Sequence, residues 1–357
     1  MSVLEWLGAN LGRLVFSLIV PALTFVGLYY GFIFLRDSKA PQWVTMIVAI
    51  LWGVGGVAVL YWVSNWLVEK LSPAWMSRIQ PFIFVGPAMA ILTWYLAIPA
   101  FRTLYRSFLL RDTNQFRDIQ NYVDIFTSRN MQIAFRNNLM WVAIGTTLCV
   151  AFGLLVAVLA DRSRLENFAK ALIFLPMAIS FVGAGVIWRF VYDPNAAVGL
   201  VNAVVTTLGG KAQSWLALVQ PWNNLFLIVI LIWLQTGYAM VLLSAAIKGV
   251  PEDLIEAARV DGANEFQVFF RIIIPYIQGT LITVTTTIVI FTLKIFDVVL
   301  VMTGGNFGTT VIGVEFYQQF FIYQNEGLGS AIAIVLLILV IPVMLYNLRE
   351  FSQQEVF

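Results

Sequence analysis

Long apolar runs separated by short polar breaks set the pattern of this chain. Roughly 20 consecutive apolar residues cross a bilayer as a helix. Eight runs reach that length, over about 12–35, 43–67, 80–104, 137–160, 169–192, 222–247, 272–297 and 330–349. They predict an all-α polytopic membrane protein with about eight transmembrane helices. Prolines and glycines such as Pro87, Pro176, Gly183, Gly185 and Gly237 fall inside several runs. Neighbouring helices can re-satisfy the backbone groups these residues free, and small residues let helices approach closely, so packing is the reading they favour. One break differs from the rest. Residues 251–275, PEDLIEAARVDGANEFQVFFRIIIP, form a carboxylate-rich segment between two apolar runs, and a membrane-embedded chain keeps so polar a stretch for water or for a soluble partner.

The local chemistry of that segment predicts two short helices and a bend. Pro251 suits the start of a helix, and Glu252 and Asp253 oppose the positive end of its dipole. Good helix formers continue to Val260, with Glu256 and Arg259 three apart and able to pair on the surface. Ala257 and Ala258 keep one face shallow enough for another protein to approach. Asp261-Gly262-Ala263-Asn264 then breaks the helix, with Gly262 free to take a positive φ. A second helix is expected with Phe266, Phe269, Phe270 and Ile273 at i, i+3, i+4 and i+7. Arg271 is placed for the membrane surface and Pro275 for the start of the next span.

Composition narrows the class. The chain has 357 residues, 60% hydrophobic and 11% charged, against about 25% charged in a soluble domain. Its 12 tryptophans suit interfacial belts. A net charge of +2 gives no reason to expect a nucleic-acid partner. There is no histidine, which removes Ser-His-Asp hydrolysis, His-ligated zinc and imidazole proton relays. Cys149 is the single cysteine, so no internal disulfide forms. Gly209-Gly210-Lys211-Ala212 lacks the first glycine of a phosphate-binding loop and has alanine where a hydroxyl must reach magnesium. The first apolar run is long for a signal-peptide core and is expected to be a retained span. With both termini and the 251–271 loop set inside, ten Lys and Arg fall inside and ten outside, with Lys294 in a span. Charge counting therefore leaves the orientation open.

The organisation expected is a three-span region over 1–104, an extracytoplasmic loop over 105–136 that looks like a small ordered structure, and a five-span core over 137–350. The motifs concentrate in the core. Glu256-Ala257-Ala258, then Gly262, then Ile274-Pro275 resembles the coupling loop of ABC importer permeases. Ile187-Trp188-Arg189-Phe190-Val191-Tyr192-Asp193-Pro194-Asn195 with Gly199-Leu200-Val201-Asn202 looks like the end of the fifth span in carbohydrate permeases. Phe296-Asp297-Val298-Val299 with Met302-Thr303-Gly304-Gly305 is similar to their seventh span and following loop, and Gly329-Ser330-Ala331 and Tyr346-Asn347-Leu348-Arg349 fit the two ends of the last. The chain thus resembles, over roughly 80–350, the maltose-type sugar permeases of ABC importers.

That resemblance implies a type I importer architecture in the bacterial cytoplasmic membrane, with both termini cytoplasmic. It implies a second homologous permease around one translocation path, two ATPase subunits below, and an extracytoplasmic binding protein that delivers a sugar, with an α-glucoside as the guess. ATP and magnesium belong to the ATPase, so this chain needs no cofactor. It assigns Glu256, Ala257, Ala258, Gly262 and Pro275 to ATPase coupling. Matching Trp233-Leu234-Gln235-Thr236-Gly237-Tyr238 carries over Leu234, Gln235 and Tyr238 as substrate-binding residues. Matching back from Phe296 carries over Ile288, Phe291, Thr292 and Ile295.

Polar groups inside spans are costly and default to functional candidates. Lys294 and Asp297, three apart, can form a neutralised couple and join the substrate candidates. Other readings remain beside these. Thr285, Thr286 and Thr287 can simply bond to the preceding helical turn, Lys294 can snorkel to the interface, and Arg189 can pair with Asp193. An ion-coupled secondary transporter of a small polar solute is the alternative, although such proteins usually carry repeats and a buried ion site. A membrane enzyme would need a nucleophile, base or metal cluster that the residues do not supply.

Overall fold

The computed structural model describes residues 19, 22–69, 73–111, 113–161 and 164–354, and all its regular elements are helical apart from a single antiparallel bridge between Leu109 and Phe116. The chain divides into two compact units, Met1–Phe101 and Arg102–Phe357. The first contains α1 over 22–37, α2 (Gln42–Val68) and most of α3 (Met76–Arg106). Part of the expected span over 12–35 lies outside the described residues. Within this unit the Trp52 indole N–H donates to the Leu28 carbonyl at 2.9 Å. The contact needs a glycine at 31, because a Cβ there would lie 2.3 Å from the Trp52 ring.

The second unit begins with α4 (Gln120–Thr127) and α5 (Arg129–Asp161). A bent pair follows, α6 (Glu166–Ala178) and α7 (Phe181–Val191), and then the short α8 (Leu200–Thr207). The long α9 (Trp222–Lys248) leads to α10 (Glu252–Val260) and a second bent pair, α11 (Glu265–Tyr276) and α12 (Gln278–Leu293). Short helices α13 (Asp297–Thr303) and α14 (Ile312–Tyr317) precede the final α15 (Glu326–Gln354).

Three expected spans change shape. The one placed at 137–160 starts at Arg129, because the Ser128 hydroxyl caps the helix by accepting from the Met131 N–H. The one at 169–192 is broken by 103° between α6 and α7. Pro176 lies in a tight turn there, Ile179 is extended, and Ser180 opens the new helix by accepting from Gly183 N–H at 3.0 Å. The one at 272–297 is bent by 70° between Tyr276 and Gln278 and ends at Leu293. Among the described residues, five helices are long and apolar enough to cross a membrane, or seven if each bent pair is one span.

The centre of the second unit is α9, with Leu227, Ile228, Ile230, Leu231, Leu234, Ala239, Met240 and Leu243 all buried. A helix apolar on every side is a core element. In lipid, close contact rather than water exclusion drives helix association, and the glycines mark where it happens. A Cβ at Gly153 of α5 would lie 2.4 Å from the Ala239 Cβ of α9, and one at Gly237 would lie 2.6 Å from the Ile173 carbonyl oxygen and 2.8 Å from the Phe174 Cα of α6. The rigid neighbours of Gly237 are backbone atoms and cannot turn aside. We expect Gly237→Ala to destabilise the fold by about 1–3 kcal/mol through overpacking, read as a lower unfolding temperature in detergent. An unchanged melting curve would show that the α6–α9 contact is looser than described.

Candidate functional site

The segment after α9 is built as its residues predict. Pro251 precedes α10, and Glu252 and Asp253 sit in its first turn. The helix ends in a Schellman motif: the Ala263 N–H donates to the Ala258 carbonyl at 3.0 Å and the Gly262 N–H to the Arg259 carbonyl at 3.1 Å. That closure requires a left-handed residue, and Gly262 supplies it with φ of 86°. Asn264 then opens α11 with a full capping box, its side chain bonding the Gln267 N–H while the Gln267 side chain bonds the Asn264 N–H, both at 2.9 Å. Arg259 does not pair with Glu256 as expected. Its Nε donates to Glu265 Oε1 at 2.9 Å, across the bend, so the ion pair ties α10 to α11. The hydrogen-bonded Glu265 carboxylate pushes the Arg259 guanidinium further up from its ordinary range.

The outward face of this unit is apolar as well as charged. Val260 is 87% and Phe266 71% exposed, and Leu254, Glu256, Ala257 and Pro275 are exposed too. Ala258 is half-buried, and Val250 and Val268 are buried and anchor the two ends. The segment thus carries exposed apolar side chains beside charged ones on a backbone fixed by its caps.

Just ahead of this segment lies a charge network that the sequence reading did not single out. Lys170 Nζ of α6 donates to Asp161 Oδ1 at the end of α5, to Ser244 Oγ in the last turns of α9, and to Glu166 Oε1 at 2.6 Å. Ser244 Oγ donates in turn to Asp161 Oδ1 at 2.8 Å, and Lys248 pairs with Glu166. The available signal was an isolated acid or base at the ends of three apolar runs.

A second cluster, also missed, holds the loop between α13 and α14. Asn137 Nδ2 donates to the carbonyls of Gly308 and Thr310, both at 2.7 Å, and Asn223 Nδ2 to that of Phe307 at 2.8 Å. Asn138 bridges the Leu293 carbonyl and the Ile312 N–H, and Gln220 donates to Gly308. The loop needs this scaffold because it makes no ladder of its own and takes positive φ at Gly304, Gly305, Phe307 and Gly308. Beside it, burial pushes the Glu315 carboxyl up from its ordinary range, partly offset by the Thr310 hydroxyl that donates to it at 2.8 Å. The signal that could have found this scaffold is the pair of Asn-Asn dipeptides, 137–138 and 223–224, each in the N-terminal part of a long apolar helix.

Among the described residues of 105–136, side-chain hydrogen bonds tie the segment between α3 and α5 together. Asn121 is buried and donates to the carbonyls of Ser107 and Leu109, both at 2.8 Å, while Arg117 binds Asn121 and Asp124. The Gly327 N–H donates to the Arg111 carbonyl and Arg106 pairs with Glu326, which fastens this region to the start of α15.

The proposed substrate residues lie in varied settings. Leu234, Gln235 and Thr292 are buried, Tyr238 and Asp297 are half-buried, and Phe291 and Lys294 are exposed. Ile288 and Ile295 are buried as well. The Thr292 hydroxyl donates to the Ile288 carbonyl, and Thr285, Thr286 and Thr287 each bond back to the preceding turn. Lys294 and Asp297 form no ion pair, because α12 ends at Leu293 and Asp297 starts a separate helix. Arg189 does not pair with Asp193. Its guanidinium donates to the Val301 carbonyl and joins α7 to α13, while Asp193 caps the Asn195 N–H at 2.8 Å.

Apolar spans around a buried central helix, with a polar helix–turn–helix at its exit, are the build of an integral membrane protein. A model of the family described as binding-protein-dependent transport system inner membrane component matches residues 149–356. The chain is 52% identical over 277 residues to the osmoprotective compounds uptake permease protein GgtC of Synechocystis sp., covering 76% of this chain and 99% of that one. It is 43% identical over 331 residues to the alpha-glucoside transport system permease protein AglF of Rhizobium meliloti, covering 87% and 98%. A chain of the crystal structure of a bacterial alginate ABC transporter, in complex with alginate pentasaccharide-bound periplasmic protein, has the same fold, with a TM-score of 0.66 at 19% identity over 76% of this chain and 94% of that one. This chain belongs to the family of binding-protein-dependent transport system inner membrane components, and is an integral inner-membrane permease.

Proposed function

We propose that this chain is one of two homologous permeases of an ATP-driven sugar importer, and that residues 251–275 receive the motion of a separate ATPase. The observation that carries this is the segment's build: a capped helix, a Gly262-dependent reversal and a second capped helix, stiffened by the Arg259–Glu265 pair and bearing exposed Leu254, Val260 and Phe266. Glu256, Ala257 and Ala258 offer the partner a charged rim beside a shallow ridge. Pro275 begins the turn from this segment into α12. Two ATPase subunits would supply ATP and magnesium. The coupling segment and both termini would then face the cytoplasm, and a binding protein would deliver the solute from outside.

The sugar is proposed to be an α-glucoside or related glycoside. The name of AglF supports this, and a glycoside would also suit the osmoprotective role in the name of GgtC. Tyr238 and Phe291 can stack on a sugar face, and Gln235 can bond hydroxyls. Leu234, Thr292, Lys294 and Asp297 complete the proposed contact set, with Thr292 needing a rearranged α12 before its hydroxyl is free.

The test is to purify this chain with its ATPase and partner permease and measure ATP hydrolysis against binding proteins loaded with different sugars. Stimulation by one glycoside-loaded binding protein is expected and would name the substrate. Hydrolysis indifferent to every loaded binding protein would contradict the proposal.

A further inference from the structure

Lys248 is the last residue of α9, and α10 begins four residues later at Glu252 with Val250 buried between them. So short a link leaves little slack between α10 and the end of α9. That end is held by the Lys170 network. Ser244 and Lys248 contribute from α9, Asp161 from α5, and Glu166 and Lys170 from α6. Lys170 touches all three helices, and its side chain and that of Asp161 are only 16% and 14% exposed. The other Asp161 oxygen, Oδ2, is buried without a hydrogen-bond partner among the described residues, so the carboxylate depends on Lys170 and Ser244. Partly buried charges of this kind are destabilised when one partner is removed and less so when both are.

We infer that Lys170 is a positioning residue for energy coupling: it locks the ends of α5, α6 and α9 into one body, so that displacement of α10 moves three helices together. This rests on the reading of 251–275 as the ATPase-driven segment. Among the described residues the network is balanced, with Asp161 and Glu166 against Lys170 and Lys248. Lys170→Met leaves two acids facing one lysine, whereas Asp161→Asn with Lys170→Met leaves the neutral Glu166–Lys248 pair. Ser244→Ala with Lys248→Met cuts only the α9 side and leaves Lys170 with both acids.

The experiment measures solute taken up per ATP hydrolysed by the full complex in proteoliposomes. Lys170→Met is expected to lower that ratio at least tenfold while hydrolysis continues, Lys170→Arg to restore most of it, and Asp161→Asn/Lys170→Met, which regains charge balance without the three-helix tie, to assemble well but stay uncoupled. Ser244→Ala/Lys248→Met is expected to lower the ratio in the same way, and it decides the matter if Lys170→Met fails to assemble. A wild-type ratio in that variant, or in an assembled Lys170→Met complex, would overturn the inference. Gly262→Pro run alongside separates the two ideas. If it uncouples while the network variants do not, the clamp is wrong and the coupling segment stands; if none of them uncouples, the coupling reading itself is wrong.

Discussion

Gly262→Pro is expected to abolish ATP-driven uptake while the protein remains inserted in the membrane. Gly262 sits at φ of 86°, and proline is fixed near −65° with no N–H to give. The substitution therefore removes both the left-handed residue and the bond from the Gly262 N–H to Arg259 that closes α10. A proline whose fixed φ and missing N–H conflict with the native turn costs more than about 1 kcal/mol, and α10 and α11 should lose their fixed angle. Nothing lies within 4 Å of a Cβ built on Gly262, so the effect is conformational and the spans have no cause to unfold. Gly262→Ala, which keeps the N–H, should cost only about 1–2 kcal/mol and give a partial defect. Uptake per ATP is the measurement. A well-assembled Gly262→Pro complex with normal uptake would mean that the shape of this segment is immaterial to transport.

The second large effect is expected at Asn137. It is fully buried, and one amide nitrogen serves two loop carbonyls, those of Gly308 and Thr310. Asn137→Leu leaves both without that donor. Each buried polar group left unsatisfied costs about 1–3 kcal/mol, so the loss is several kcal/mol in sum, softened at Gly308 by the remaining bond from Gln220. The loop over 304–311 should detach from α5, and the purified protein should unfold several degrees earlier. Asn137→Asp is the informative companion, because it keeps the shape but replaces the donor by an acceptor, and it should be as damaging as leucine. If Asn137→Asp melts like wild type, the two carbonyl contacts are not what holds the loop.

What could be seen in the sequence follows the range of the interactions. The reversal after α10 was legible because Pro251, Gly262 and Asn264 act on their own backbone neighbours, and the threonine back-bonds of α12 were legible for the same reason. Pairings guessed from spacing along one helix fared worse. Arg259 bonds Glu265 and Arg189 bonds Val301, since a long side chain reaches whatever the tertiary fold brings near. The two bent spans were hidden in part because Pro176 and Pro275 announce a break but not its angle, which packing sets. Lys294 was placed mid-helix because α12 was expected to continue to Asp297, whereas the helix ends at Leu293. The asparagine scaffold was hidden most deeply, because its partners are backbone groups 84 to 174 positions away, and a backbone group carries no sequence signal.

The central claim, that this permease draws its energy from a separate ATPase through residues 251–275, is tested most directly by uptake into proteoliposomes containing either the full complex or this chain alone. Uptake that requires ATP, the ATPase and the loaded binding protein, and that vanishes in every preparation of the isolated chain, is the result expected. Accumulation by the isolated chain down a proton or sodium gradient would contradict it and make this an ion-coupled transporter.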